Sequence, residues 1–221
     1  MTRARARQLL LLSNWKYIAP KPNKLILNQC DCPKGTGSNR LMTKHQLSAA
    51  LQAYSEGSLC VSAIEPCGKD TIPDLHPIEI FDQYWHELAG GGLPHRKALT
   101  PAAIPSLLKW LIILEQGGTP QHPTFVVRLQ GTATQVLSVG NLTGRELADF
   151  TEGDAYRSRL ALFLDVIAGA TPRYGRAILI SPNNARIPIS VGIFPFSTND
   201  PALHHLVVIA APDDPELRAA L

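Results

Sequence analysis

The chain has 221 residues, 45% of them hydrophobic and 18% charged, a composition that can bury a core and excludes wholesale disorder. No stretch approaches the roughly 18 uninterrupted apolar residues of a membrane span, and 18 prolines argue against long bundles and coiled coils. The net charge of +3 is split, with nine Lys or Arg against one acid (Asp31) in residues 1–45 and 12 against 17 in residues 46–221, so a nucleic-acid partner would have to rest on the N-terminal extension alone.

Residues 1–41 show no hydrophobic period, carry Pro20, Pro22, Pro33, Gly35 and Gly37, and are expected to form a poorly ordered basic extension without a basic helix face. Three arginines followed by Leu9–Leu12 fall short of the about 7–15 apolar residues of a secretory signal, so a cytoplasmic protein is expected. A natural start at Met42, where the composition changes, is an alternative. Cys30, Cys32, Cys60 and Cys67 stand in C-x-C and C-x6-C spacings rather than paired knuckles, which favours free thiols over a zinc site or a disulfide.

Residues 42–76 read as a short helix and a connector. Thr43 and Gln46 have capping-box spacing, Leu47, Ala50, Leu51 and Tyr54 share one helical face, and Gly57, Pro66, Gly68 and Pro73 punctuate the connector. A second helix begins at Pro77, carries Phe81, Trp85 and Leu88 on one stripe, and stops before Gly90. Thr100 and Pro101 open a helical turn with Ile104, Leu107 and Leu108 that Pro105 keeps short.

Two β-rich runs, 110–115 and 125–130, are joined by turn residues and predict a hairpin. Short helical pieces broken by Gly131, Gly140 and Gly144 then lead to the clearest helix, in which Tyr156, Leu160, Phe163, Leu164 and Ile167 mark one face. Strands are expected at 176–180, 186–194 and 203–210. In the middle one Ile187, Ile189, Val191 and Ile193 alternate with other residues, and Pro188 is expected at an edge or bulge. The predicted class is α+β, a five-stranded antiparallel sheet with short helices and one long helix on one face, preceded by N-terminal helices. Residues 213–221 are left as a tail too short for an output domain.

The motifs Gly91-Gly92-Leu93-Pro94-His95-Arg96, Leu99-Thr100-Pro101, Val127-Arg128-Leu129-Gln130-Gly131-Thr132 and Leu142-Thr143-Gly144-Arg145-Glu146-Leu147, in this order, make residues 77–212 similar to a family of short, stand-alone bacterial PAS proteins found mainly in alphaproteobacteria. The local chemistry fits structural roles for them. Gly131 and Gly144 suit positive φ, Pro94 and Pro101 fix the bend before the first strand, and the Arg128 guanidinium is expected to leave the sheet for a carbonyl or carboxylate. Arg96, Thr132 and Arg145 join that set.

The resemblance implies either a small molecule, flavin or haem between the sheet and the long helix, or no ligand and a protein partner. None of the seven histidines lies between residues 123 and 203, which argues against histidine-ligated haem; every cysteine lies at or before Cys67, which argues against a cysteine-adduct flavin. Cavity-facing candidates are Leu129, Phe163, Ile180, Ile189 and Val191. No nucleophile elbow, phosphate loop, zinc-protease motif or dinucleotide glycine pattern occurs, and Asp149, Glu152 and Asp154 suit helix starts. The expected function is a non-enzymatic sensor or adaptor acting on a signalling protein. The alternatives are a small α+β enzyme with a pocket near His95 and Arg96, and a ligand-free homodimerisation module using residues 43–54 and 77–89.

Overall fold

Around residue 77 the backbone chemistry sets a helix in the expected place. Pro77 at the first helical position needs no N–H partner, the His76 side chain caps Ile78 N–H, and Gly90 closes the far end in the left-handed conformation at φ 52°. This helix, α1 (Pro77–Ala89), buries Ile78, Phe81 and Trp85. The computed structural model describes residues 60–119, 121–138, 140–180, 186–200 and 203–221; the extension at 1–41 and the helix expected at 43–54 lie outside them.

Two short strands, β1 (Cys60–Val61) and β2 (Glu65–Cys67), precede α1. After it come β3 (Leu111–Thr119), β4 (His122–Gln130), α2 (Thr132–Leu137), α3 (Gly153–Gly169), β5 (Arg173–Ile180), β6 (Arg186–Ser197), β7 (His204–Pro212) and α4 (Pro215–Ala220). The strands form one antiparallel sheet in the order β1-β5-β6-β7-β3-β4, and β2 also pairs with β5. The five long strands and the mixed class agree with expectation. The connector read at 55–76 instead contributes the two short edge strands at 60–61 and 65–67, and the tail read at 213–221 forms α4, capped by Asp214 and anchored by the buried Leu217.

The hairpin is tighter than its turn-rich link suggested, because pairing continues to Thr119↔His122. Pro188 lies where β6 projects past the last β7 pair, Ile189↔Pro212, the edge-like place expected of a residue that cannot donate.

Helices cover both faces of this sheet rather than one. A Cβ on Gly192 would lie 2.9 Å from Ile78 of α1, and Phe81 stacks edge-on against Phe194 at 4.8 Å between ring centroids. Even-numbered residues of β6 therefore form an outer face under α1. On the inner face Phe163 of α3 stacks edge-on against Phe125 of β4 at 5.1 Å. Trp85 Nε1 donates to Pro195 O at 2.9 Å, which pins α1 to β6. Residues 191–196 of β6 are all buried in consequence. Each large apolar side chain enclosed this way contributes about 1.5–3 kcal/mol.

Candidate functional site

Three places in the described residues bring chemically interesting side chains together. The first is the space between the inner face and α3, where the resemblance would place a ligand. Phe163, Ile189 and Val191 are buried there, alongside Phe125, Val127, Leu160 and Val166. A depression lined by Thr124, Phe125, Glu146, Leu147, Tyr156 and Leu160 has a volume of about 10 Å³, room for a single water.

Two of the five cavity candidates fall elsewhere. Leu129 is 44% exposed and opposes Ile113 on the outer face, because a bulge between Ile113 and Leu114 interrupts the alternation that puts Val127 inward. Ile180 opposes Arg186, on the same face as Tyr174 and Gly192, so that Leu179 points inward in its place.

A second group occupies the outer face at the far end of the sheet. Phe196 of β6, His205 of β7 and Glu115 of β3 form one rung of the ladder. Arg128 Nη2 donates to Glu115 Oε1 at 2.5 Å, which is the carboxylate expected for this guanidinium, and His205 Nε2 lies 3.2 Å from Glu115 Oε2. The Arg128 hydrogen bond holds the Glu115 carboxyl below its ordinary range. Burial lowers the His205 pKa, Glu115 opposes that, and the charges of Arg96 and Arg128 add to the lowering.

Arg96 belongs to the turn at Arg96–Ala98. Its neighbours are tied to β6: His95 bridges to Ser197, Ser197 N donates to Pro94 O at 2.9 Å, and His95 Nε2 lies 3.1 Å from Asn199 Oδ1. The Arg96 Nε is enclosed without a hydrogen-bond partner, as is His205 Nδ1, and burial lowers the Arg96 pKa.

The third group surrounds Asp82, a fully buried acid on the apolar stripe of α1. Lys69 and the Tyr174 hydroxyl both donate to its carboxylate, and His86 Nε2 is 3.6 Å away. Burial, reinforced by Asp82, pushes the Tyr174 hydroxyl well above its ordinary range. The arrangement ties the turn at Lys69–Thr71, α1 and β5 together. An acid placed between Phe81 and Trp85 was a signal available in the sequence; its partners, 13 and 92 residues away, were not.

The remaining motif residues make local backbone and packing contacts. Gly144 has φ 86°, as expected, and its N–H donates to Val127 O at 2.7 Å. Gly131 does not have positive φ: it caps α2 at φ −70°, and glycine is required because a Cβ would sit 2.2 Å from Leu108 O. Thr132 opens α2, Pro101 opens a turn, and Arg145 donates to Asp149 O beside the Phe150 ring. Asp149 and Glu146 close a capping box, Asp154 pairs with Arg157, and Glu152 is the N-cap residue of α3. Cys67 is a half-buried free thiol. No group of three or more potential metal ligands occurs among the described residues, and none of their helices is long and apolar enough to cross a membrane.

Comparison with family models matches residues 74–201 to one described as PAS domain. Comparison with curated proteins gives no match.

Proposed function

The chain belongs to the PAS-domain family, and from that premise we propose that it is a non-enzymatic sensor or adaptor that regulates a partner protein through its surface. The observation that carries this reading is the packing of described side chains between the inner face and α3. Among the described residues, Phe125 and Phe163 stack there beside the buried Leu160, Ile189 and Val191, and the depression lined by Tyr156 and Leu160 holds about 10 Å³, far below the roughly 300 Å³ or more of a small-molecule pocket. A regulatory state would then be expressed as a shift between surface conformations of different affinity for the partner. A ligand between sheet and helix would first have to displace Phe163 or its neighbours.

Native mass spectrometry of the full chain, set beside its denatured mass, tests this. The bare mass under both conditions is the expected result. A reproducible excess mass that is lost on denaturation would replace the adaptor reading with a ligand-loaded sensor, and substitution of Phe163 by Ala would then alter the bound fraction.

A further inference from the structure

Residues 60–74 run along the β5 edge of the sheet on few apolar anchors. Ile64 and Ile72 are buried and Val61 and Cys67 partly so, whereas Glu65, Pro66 and residues 68–71 are exposed. Backbone pairing supplies much of the rest, from Cys60↔Ile180 and Val61↔Leu179 in β1 to Glu65↔Arg176 and Cys67↔Tyr174 in β2. Ser62 N donates to Ile178 O and Ile64 N to Ser158 Oγ, both at 3.0 Å. Gly175 gives the segment its seat, because a Cβ there would lie 2.4 Å from Ile64 and 3.1 Å from Glu65 O.

Two features at its C-terminal end set this segment apart from an ordinary sheet edge. Lys69 has a side chain that is 54% exposed, yet its ammonium donates to the carboxylate of Asp82, whose side chain is wholly buried. The other groups facing that carboxylate, Tyr174 of β5 and His86 of α1, belong to the body of the domain and stay with Asp82 if the segment lifts. The second feature is Leu75, where the segment meets α1. Its φ of 56° is a costly conformation for leucine, its side chain is 85% exposed, and its N–H is held by Glu79 Oε2 at 2.8 Å. Directly after it the His76 cap fixes α1, so the strained residue sits at the joint between the two.

We infer that residues 60–74 form a strap that opens and closes as a unit, with the Lys69–Asp82 pair as its latch and Leu75 as its pivot. A buried carboxylate deprived of its cation is strongly destabilising. Lifting the strap brings water to the side of Asp82 that Lys69 now covers, and it costs less than unfolding α1, which is held by the buried Ile78, Phe81 and Trp85. Opening leaves β5 with unpaired N–H and C=O groups, a template for another extended segment. The strap is independent of whether the inner face holds a ligand.

The test is hydrogen exchange of the full chain, read by mass spectrometry, in the unaltered protein, Lys69→Met and Lys69→Arg. In the unaltered protein the amides of residues 60–72 should share one opening constant, larger than that of 191–196. Lys69→Met keeps the length of the side chain and removes its charge. It should raise that constant on the order of tenfold, equivalent to about 1.4 kcal/mol, and leave 191–196 unchanged, while Lys69→Arg should raise it less. Three results would each overturn the inference: strap amides that open at graded, unrelated rates in the unaltered protein, strap exchange that Lys69→Met leaves unchanged, or a rise that extends equally to 191–196. The exchange pattern of the unaltered chain decides the matter even if Lys69→Met does not fold.

Discussion

His76 shows how a single buried side chain makes the fold sensitive to pH. Its Nδ1 accepts from Ile78 N–H at 3.2 Å and its Nε2 faces Ala211 O at 3.3 Å, a pair of contacts that only the neutral ring with hydrogen on Nε2 can satisfy. Burial, with Arg218 adding to it, lowers the pKa from 6.5 to about 4. Above pH 6.5 the ring is neutral in the folded and unfolded chains alike and this linkage contributes nothing. Between pH 6.5 and 4 the unfolded chain takes up the proton first, so stability falls as the pH falls, and the loss is complete below 4. The total is about 3 kcal/mol, at roughly 1.4 kcal/mol per pKa unit. We expect urea midpoints to drop over that interval in the native protein and less steeply in His76→Gln, whose amide can donate and accept without titrating. Parallel curves for the two proteins would refute the assignment.

At the scale of elements, the junction between the Pro105–Trp110 turn, β4 and α2 rests on Gly131. A methyl group there would meet Leu108 O at 2.2 Å and Lys109 O at 2.6 Å, both backbone atoms that cannot swing aside. Gly131→Ala is expected to destabilise by about 1–3 kcal/mol, measured by chemical denaturation, with the effect arising from close approach rather than from backbone conformation; a change within about 0.5 kcal/mol would refute this. Elsewhere the elements show what the sequence conveys. Pro77 and Gly90 bounded α1, and the period of two in Ile187, Ile189, Val191 and Ile193 gave β6 its inner face, because those signals are local. The bulge between Ile113 and Leu114 has no local signal in the sequence, and it is what turns Leu129, expected at the cavity, to the outer face. In Ile178-Leu179-Ile180 three apolar residues in succession carry no parity, which is why Ile180 was placed inward. Strands of two or three residues such as β1 and β2 are too short to show a period at all. The Glu115–His205–Arg128 group was equally hidden, since its members meet only once β3, β4 and β7 are paired.

For the whole molecule, the central position of β6 and β7 sets the order in which the structure opens. Both lie inside the sheet, and Leu206, Val207 and Ile209 are buried, as are Ile193, Phe194 and Phe196. Backbone amides there should exchange only on global unfolding, whereas β1 and β2 at the β5 edge, with few buried apolar contacts, should exchange through local opening. Hydrogen exchange followed by mass spectrometry would register this as a protected 191–196 and 205–209 against an early-exchanging 60–67. Equal protection of both regions would show that the edge strands belong to the same cooperative unit as the centre.

The bulge in β4 has a further meaning for the ladder's arithmetic. Leu129 opposes Ile113 and Val127 opposes Leu114, so the supernumerary residue between them is Arg128. If it were deleted, the neighbours on either side would still meet their present partners in phase. The strand's pairing is thus in phase without this arginine, and what the extra residue adds is a cation that donates to Glu115.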